Sequence, residues 1–349
     1  MDAIMVAGHL CVDIAPSLPR RSPINPGGLV EIGSLTMELG GCVGNTGSDL
    51  ADLGLPVRLA ATIADDELGD LVRRDIARRG LGAQALQVSN RAGTSYSIVL
   101  QSEDLDRAIW HYPGVNAYFD EALVDLSELR AIHLGYPPLM RGMLPDDGAP
   151  LARLLARARR AGVTTSLDMA VVDRRSDVAV LDWSAILANV LPEVDVFSPS
   201  LDDLTSALGI EEGFSIELVE RCAAQFIELG VAVVALSAGD RGIHIRTASS
   251  ERLAAGGELL AELADEWADR NLWQPPADVS DVRTTNGAGD AATAGLLYGL
   301  WCALSPEQTV RCAVACAAIR IGGHRTTVRA LNKAMADSCL PPTATDTRA

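Results

Sequence analysis

Short apolar runs that alternate with amphipathic segments constrain the fold of this 349-residue chain more than any other feature. The first run covers residues 3–8, and similar runs recur at residues 131–135, 163–167, 194–197 and 231–236. Continuous apolar strands separated by helices are typical of βαβ units, in which helices cover both faces of a sheet. The pattern therefore predicts an α/β fold with a mostly parallel sheet and helices on both faces.

Two further segments, residues 35–39 and 95–111, alternate between apolar and polar side chains. Such alternation is typical of strands that expose one face to solvent. These segments predict a small β-sheet lid, with strands inserted at about 12–40 and 93–114 of a single domain that spans residues 1–340. Residues 341–349 are predicted to form a flexible tail. Because ligands collect at the carboxyl ends of parallel strands, the site is expected at that edge of the main sheet.

The charge balance limits the partners of this protein. Asp and Glu number 46 against 29 Lys and Arg, which gives a formal net charge of -17. A surface of this kind repels nucleic-acid phosphates and anionic lipid, so we expect neither a nucleic acid nor a membrane as partner. Among the basic residues only Lys333 is a lysine. The lysine of a P-loop and the strand lysine of a protein kinase are therefore both missing.

The seven cysteines are scattered and include no C-x-x-C pair. They are expected to be reduced thiols of a cytoplasmic protein. The first residues lack the basic region of a leader, and the longest uncharged stretch is too short to span a bilayer. The sequence therefore predicts a soluble protein in the cytoplasm.

The strongest local signal is TTNGAGD at residues 284–290, followed by the small and apolar residues of a predicted buried helix at 291–300. A Gly-Ala-Gly turn at a helix N-terminus exposes backbone N–H groups that can bind a phosphate. Asp290 would repel that phosphate, so it acts either as a base for an attacking hydroxyl or as a helix cap. The glycine spacing also fits a dinucleotide fingerprint, but that motif belongs after the first strand of a βαβ unit.

A second glycine-rich segment, LGGCVGNTGSDLADLG, occupies residues 39–54. Glycines allow the backbone to approach a ligand closely. Asn45 offers both a donor and an acceptor at the start of a predicted helix, which suits the recognition of vicinal hydroxyls. A tight turn with an Asn cap explains the same residues without a ligand.

Taken in this order along the chain, the two motifs resemble those of the ribokinase-like (PfkB) family of carbohydrate kinases. Residues 8–13 resemble the G-x-x-x-x-D of the family's first strand, and residues 64–69 its G-D-D-x-x-G segment. Residues 106–107 with 113–116 resemble its flap, and residues 237–242 its T-x-G-x-x-G nucleotide segment. The resemblance extends from about Ile4 to about Lys333 and implies a ribokinase-like fold.

The resemblance implies an ATP-dependent phosphorylation of a primary hydroxyl of a small carbohydrate. It implies Asp290 as general base, with an anion hole formed by Gly287, Ala288 and Gly289. The residues implied for sugar binding are Asp13, Gly41, Asn45 and Arg107. Those implied for ATP binding are Ser237, Gly239, Gly242 and Asn286. Asp203 is the implied Mg²⁺ ligand, within a segment that has Ser200 where the family has Asn.

Some positions depart from the family pattern. Thr284 stands where the family usually has an Asp that helps to bind a monovalent cation, which leaves activation by K⁺ open. Together with Ser200 and Ala292, it keeps open an alternative, a catalytically silent sugar- or nucleotide-binding member of the same fold. Because the lid strands would expose an edge, we also predict a homodimer that pairs through the lid.

Overall fold

The computed structural model describes residues 3–18, 26–102, 105–336 and 343–345. Two β-sheets and the helices around them form the described part of the chain. The strands are β1 Ala3–Gly8, β2 Cys11–Leu18, β3 Leu35–Gly40, β4 Val57–Ile63, β5 Gly82–Val88, β6 Tyr96–Ser102, β7 Leu105–Tyr112, β8 Leu129–Gly135, β9 Thr164–Leu167, β10 Val196–Phe197, β11 Val233–Ser237, β12 Ile243–Thr247, β13 Asn271–Gln274 and β14 Ala344–Thr345.

The α-helices follow the strands in the order expected of βαβ units. They are α1 Gly41–Asp52, α2 Glu67–Arg78, α3 Pro145–Arg160, α4 Trp183–Val190, α5 Leu201–Leu208, α6 Ile216–Glu228, α7 Ser250–Ala254, α8 Gly257–Ala261, α9 Ala264–Trp267, α10 Ala288–Trp301, α11 Pro306–Ile321 and α12 Val328–Ala336. Within the described residues, no helix is long and apolar enough to cross a membrane.

The larger sheet has ten strands in the order β14-β13-β12-β11-β10-β9-β8-β1-β4-β5. Neighbouring strands from β11 to β5 run parallel, whereas β12, β13 and β14 add antiparallel strands at one edge. The prediction of a mostly parallel sheet is confirmed. Strand β14 lies in the segment predicted to be a tail and pairs Thr345 with Leu272, whereas residues 341–342 and 346–349 lie outside the described residues.

The central strand β1 shows why helices cover both faces of this sheet. Ile4 and Val6 belong to a core layer shared with α1, α2, α10 and α11. Met5 and Ala7 point to the other face and pack in a layer with α3, α4 and α6. Successive side chains of a strand alternate between faces, so an entirely apolar strand needs cover on both.

The smaller sheet is the lid, with the strand order β3-β2-β6-β7. Strand β2 pairs parallel with β6, and the other two pairs are antiparallel. Only His9 and Leu10 separate β1 of the main sheet from β2 of the lid. The lid is therefore joined directly to the carboxyl end of a central strand, and the prediction of a separate small sheet is confirmed.

Candidate active site

The carboxyl ends of five parallel strands meet at one edge of the main sheet. His9, Tyr136, Asp168 and Ser198 directly follow β1, β8, β9 and β10, and Ser237 is the last residue of β11. Helix α10 begins at the same edge, because its residue Thr293 donates a hydrogen bond of 3.3 Å to Ser198. The site expected from the strand pattern thus gathers around the N-terminus of α10.

The N-terminus of α10 is open. Gly287 precedes the helix with a left-handed φ of 74°, and no side chain caps this end. Among the described residues, no acceptor faces the backbone N–H groups of Gly287 and Gly289. A Cβ atom built on Gly289 would meet no other atom within 4 Å. Free N–H groups beside open space at a helix N-terminus are suited to an anion.

Asp290 lies in the first turn of α10 and is 3 % exposed. One carboxylate oxygen accepts a hydrogen bond of 3.0 Å from Asn45 Nδ2, and the other accepts one of 3.0 Å from Thr46 Oγ1. Tyr136 also hydrogen-bonds to this carboxylate. The side chain is therefore held by α1 and by the residue after β8, and its contacts are not those of a helix cap.

Two opposing influences act on the pKa of Asp290. Burial raises the pKa of Asp290 above its usual value, and the hydrogen bonds from Tyr136, Asn45 and Thr46 and the charge of Arg320 oppose this rise without cancelling it. Arg320 donates a hydrogen bond of 2.8 Å to Asn45 Oδ1. Because a guanidinium group can only donate, Asn45 must present its oxygen to Arg320 and its NH₂ group to Asp290. Arg320 thus sets the orientation of the amide that stabilises the carboxylate.

Asn45 and Asn286 have different surroundings from those that the sequence suggested. Both ends of the Asn45 amide, predicted to contact a sugar, are occupied by Asp290 and Arg320. Asn286, predicted to contact ATP, donates a hydrogen bond of 3.0 Å to Asp13, the predicted sugar-binding carboxylate. The TTNGAGD segment and the predicted sugar-binding residue Asp13 are therefore in direct contact, although 273 positions separate Asp13 from Asn286.

Gly40 and Gly41 leave room for the side chains of Asp13 and of His9, which lies between β1 and the lid strand β2. A Cβ atom on Gly40 would lie 2.3 Å from the carboxylate of Asp13. Gly41 has a φ of 73°, and a Cβ atom there would lie 2.4 Å from His9 Nδ1. A larger residue at either position would displace these side chains. The close packing of α1 against the start of the lid thus explains the glycine at position 41, and its contact with a sugar stays a prediction.

The residues predicted to bind the nucleotide lie at the end of β11 and in the turn that follows it. Ser237 ends β11, and Gly239 and Gly242 form the turn into β12. Gly242 has a φ of 106°, and a Cβ atom there would be 2.1 Å from the carbonyl oxygen of Gln274. A small cleft connects this region with the start of α10. Its lining residues include Ser198, Ser237, Ile243, Gly289, Ala292 and Thr293.

Asp203 and Asp168 are two buried carboxyl groups that could hold a divalent cation. Burial raises the pKa of Asp203 to about 6, and burial together with the charges of Asp203 and Asp290 raises the pKa of Asp168 well above its usual range. Asp203 accepts a hydrogen bond from the backbone of Ser200, and Asp168 one from that of Met169. Oxygen ligands of this kind fit Mg²⁺, and its charge would relieve their mutual repulsion.

Arg107, predicted from the sequence to bind the sugar, belongs to β7, but its side chain lies outside the described residues.

Other residues of this site were not predicted from the sequence. Tyr136 and Asp168 directly follow predicted strands, a signal that could have identified them. Arg320 and Thr46 carried no such signal, since Arg320 lies within α11 and only packing brings it to Asn45.

Comparison with known proteins gives one family. The family described as pfkB family carbohydrate kinase matches residues 1–333. An ATP-dependent ribose-1-phosphate kinase from Halopiger xanaduensis is 24 % identical over 325 residues, which cover 92 % of this chain and 93 % of that protein. A 1-phosphofructokinase from Rhodobacter capsulatus is 27 % identical, over 80 % of this chain and 78 % of that protein.

Solved structures with similar folds include ribokinases and nucleoside kinases. The Arabidopsis thaliana ribokinase complexed with ribose and ATP has a TM-score of 0.72 and 18 % identity, covering 97 % of this chain and 100 % of that chain. The Burkholderia thailandensis nucleoside kinase in complex with inosine has a TM-score of 0.66 and 16 % identity, with coverages of 95 % and 97 %. These likenesses confirm the ribokinase-like fold.

Proposed function

Since the chain belongs to the pfkB family of carbohydrate kinases and is a sugar kinase that uses ATP, we propose that it transfers the γ-phosphoryl group to a primary hydroxyl of a small carbohydrate. The observation that carries this proposal is the placement of Asp290. A buried carboxylate lies in the first turn of α10, beside N–H groups that no described residue accepts from. A base and an anion site are thus adjacent, as a phosphoryl transfer to a hydroxyl requires.

In the proposed reaction Asp290 accepts the proton of the sugar hydroxyl. The hydroxyl oxygen forms a bond to the γ-phosphorus while the bond from that phosphorus to the β–γ bridging oxygen breaks, and ADP leaves. The N–H groups of Gly287 and Gly289 stabilise the negative charge on the transferring group. The N–H group of Ala288, the third residue of the predicted anion hole, donates to the carbonyl oxygen of Thr285 at 3.3 Å, and its part in the anion hole stays a prediction. The hydrogen bonds from Asn45, Thr46 and Tyr136 oppose the rise in pKa that burial causes, and they orient the carboxylate before the hydroxyl binds.

Asp13 and Gly41 lie on the sugar side of the proposed site, and Arg107 completes this set in our proposal. Ser237, Gly239 and Gly242 lie on the ATP side. Asn286 contacts Asp13, and its contact with ATP stays a prediction. Asp203, together with Asp168, is proposed to hold Mg²⁺, which when bound would neutralise charge on the phosphates of ATP.

The direct test is Asp290→Asn. We expect kcat to fall by about 10²- to 10⁴-fold, the usual contribution of a general base. The fold should persist, because an Asn can accept from Asn45 while it donates to Thr46. Release of ADP, ATP binding and thermal unfolding are measured for each variant. Asp70→Asn, at an exposed residue in the first turn of α2, is the control. Wild-type turnover in Asp290→Asn would show that another group accepts the proton.

The sugar is identified by measuring ADP release across a panel of pentoses, hexoses, nucleosides and sugar phosphates. Sugar phosphates are included because the relatives include a ribose-1-phosphate kinase and a 1-phosphofructokinase. Thermal stabilisation by a sugar without ADP release, in the presence of Mg²⁺ and ATP, would contradict the proposed transfer and favour a binding role.

A further inference from the structure

Three side chains of residue types that often bind metals meet at the junction of the lid and the main sheet. They are His9 in the hinge between β1 and β2, Cys11 at the start of β2 and His111 in β7. One ligand atom from each lies within 4.8 Å of the other two. None of the three has a role in the proposed phosphoryl transfer, and we refer to them as the hinge cluster.

The spacing of the hinge cluster is close to that of a tetrahedral site. The Nε2 atoms of His9 and His111 are 3.2 Å apart. Zinc bonds of about 2.0–2.1 Å to nitrogen and about 2.3 Å to sulfur place neighbouring ligand atoms roughly 3.3–3.6 Å apart. The two imidazoles already have this separation, and the thiol of Cys11 needs a shift of roughly one ångström to join them.

The hydrogen bonds of the cluster show which protons a cation would displace. His9 Nε2 and His111 Nε2 share one hydrogen bond, so one of the two nitrogens carries a proton there. A ring that carries its proton on Nδ1 instead, as His111 would by donating to Ser97 Oγ at 3.1 Å, presents its Nε2 lone pair to the cation. The Cys11 thiol donates a hydrogen bond of 3.3 Å to Asp13.

We propose that His9, Cys11 and His111 form a site for a borderline-soft divalent cation, for which Zn²⁺ is the probe, separate from the carboxylates proposed for Mg²⁺. The cation binds two neutral imidazoles and one thiolate, and solvent takes the fourth position. The Cys11 S–H bond breaks, the sulfur binds the metal and the proton passes to solvent. His111 is only half-buried, so the cation enters from the lid side.

Occupation of this site has two structural consequences. It ties β7 of the lid to the hinge residue His9, which restricts movement of the lid relative to the main sheet. It also removes the hydrogen bond from Cys11 to Asp13. On the proposed function, in which Asp13 binds the sugar, the bound cation inhibits the kinase mainly by raising the KM for the sugar.

Metal binding is tested on the full chain without any assay of activity. Co²⁺ titration should saturate at one ion per chain, with a thiolate-to-cobalt charge-transfer band, the visible bands of tetrahedral Co²⁺ and release of about one proton per ion. Zn²⁺ should displace these signals. Cys11→Ser should abolish the charge-transfer band, and His111→Gln should weaken binding at least tenfold. Cys302→Ser, at an exposed cysteine, is the matched control.

The proposed site is refuted if the charge-transfer band survives in Cys11→Ser or disappears in Cys302→Ser. It is also refuted if the wild-type chain does not bind one Co²⁺ ion per chain. Thermal unfolding of each variant shows that it is folded. For inhibition, Zn²⁺ is added with Mg²⁺ in large excess, and the inhibition should be lost in His111→Gln. If Zn²⁺ binds at the hinge cluster without inhibiting the kinase, the regulatory role is refuted and the metal site itself stands. A failure of Asp290→Asn to lose activity affects only the proposed function.

Discussion

Arg320, Asn45 and Asp290 form a chain of hydrogen bonds that resolves a conflict at the proposed base. Burial favours the neutral acid, whereas the proposed reaction needs the carboxylate. The guanidinium group of Arg320 fixes the amide of Asn45, and that amide donates to Asp290. A Cβ atom on Gly287 would lie 2.9 Å from Arg320, so the same positive charge also lies directly behind the proposed anion hole.

Arg320→Gln should therefore shift the acidic limb of the kcat profile to higher pH. Asp290 acts as a carboxylate, and loss of a nearby positive charge raises its pKa, so activity is lost at a higher pH than in the wild type. We expect the rate on the acidic limb to fall about tenfold while the plateau at higher pH is retained, because a loss of about 1.4 kcal/mol of interaction with the carboxylate changes its ionisation tenfold. The measurement is the steady-state rate between pH 5 and pH 9.

Arg325→Gln is the matched control, because Arg325 is exposed and pairs with Asp52 away from Asp290. Arg320→Lys keeps the charge without the planar fork and should recover part of the shift. If Arg320→Gln lowers kcat equally at all pH values, Arg320 supports the structure of the site without tuning the base.

The first turn of α10 combines helix formation with the proposed anion site. Gly289 has a helical conformation, and a Cβ atom there would meet nothing within 4 Å. Glycine within a helix costs about 0.5–1 kcal/mol relative to alanine. Its presence here is therefore not explained by contacts within the protein, whereas a phosphate bound beside the turn would explain it.

Gly289→Ala should separate stability from activity. We expect the free energy of unfolding to rise by about 0.5–1 kcal/mol, because alanine favours the helix. We expect kcat to fall at least tenfold, because the methyl group would enter the space proposed for the transferring phosphoryl group. Urea unfolding and ADP release measure the two effects. Gly213→Ala, at another glycine with open surroundings, is the control, and undiminished turnover in Gly289→Ala would place the anion elsewhere.

The lid exposes both apolar side chains and strand edges. Trp110, Ile109 and Tyr112 of β7 are 51 %, 45 % and 39 % exposed, and Leu35 and Met37 of β3 are also exposed. Strands β7 and β3 are the two edges of the lid sheet. An exposed apolar edge favours pairing with another copy of the chain, which supports the homodimer predicted from the sequence.

Trp110→Glu should therefore shift a dimer toward the monomer, since it places a charge in the proposed apolar interface. Light scattering during size-exclusion chromatography measures the mass of each species. Val180→Glu, at an exposed apolar residue distant in sequence from the lid, should leave the mass unchanged. A wild-type mass of 36.8 kDa, that of one chain, at micromolar concentration would refute the lid dimer.

The sequence by itself determined the sheet type, the lid, the helix that begins at the TTNGAGD motif and the family. These features depend on local order along the chain, such as the apolar run of β1 and the glycines before α10, and local order is visible in a sequence. The sequence could not show which distant side chains form hydrogen bonds with each other. Arg320 meets Asn45 across 275 positions, and His111 meets His9 across 102.

Such contacts depend on how helices and strands pack, because packing alone brings distant segments within hydrogen-bonding distance. Two contacts became visible only for this reason: the amide of Asn45 is engaged by Asp290 and Arg320, and Asn286 donates to Asp13. The contacts of Asn45 with a sugar and of Asn286 with ATP stay predictions. The tertiary structure thus decided how the charge of the proposed base is balanced. The sequence had already singled out Asp290 as the candidate base, because this residue and its glycines are neighbours in the chain.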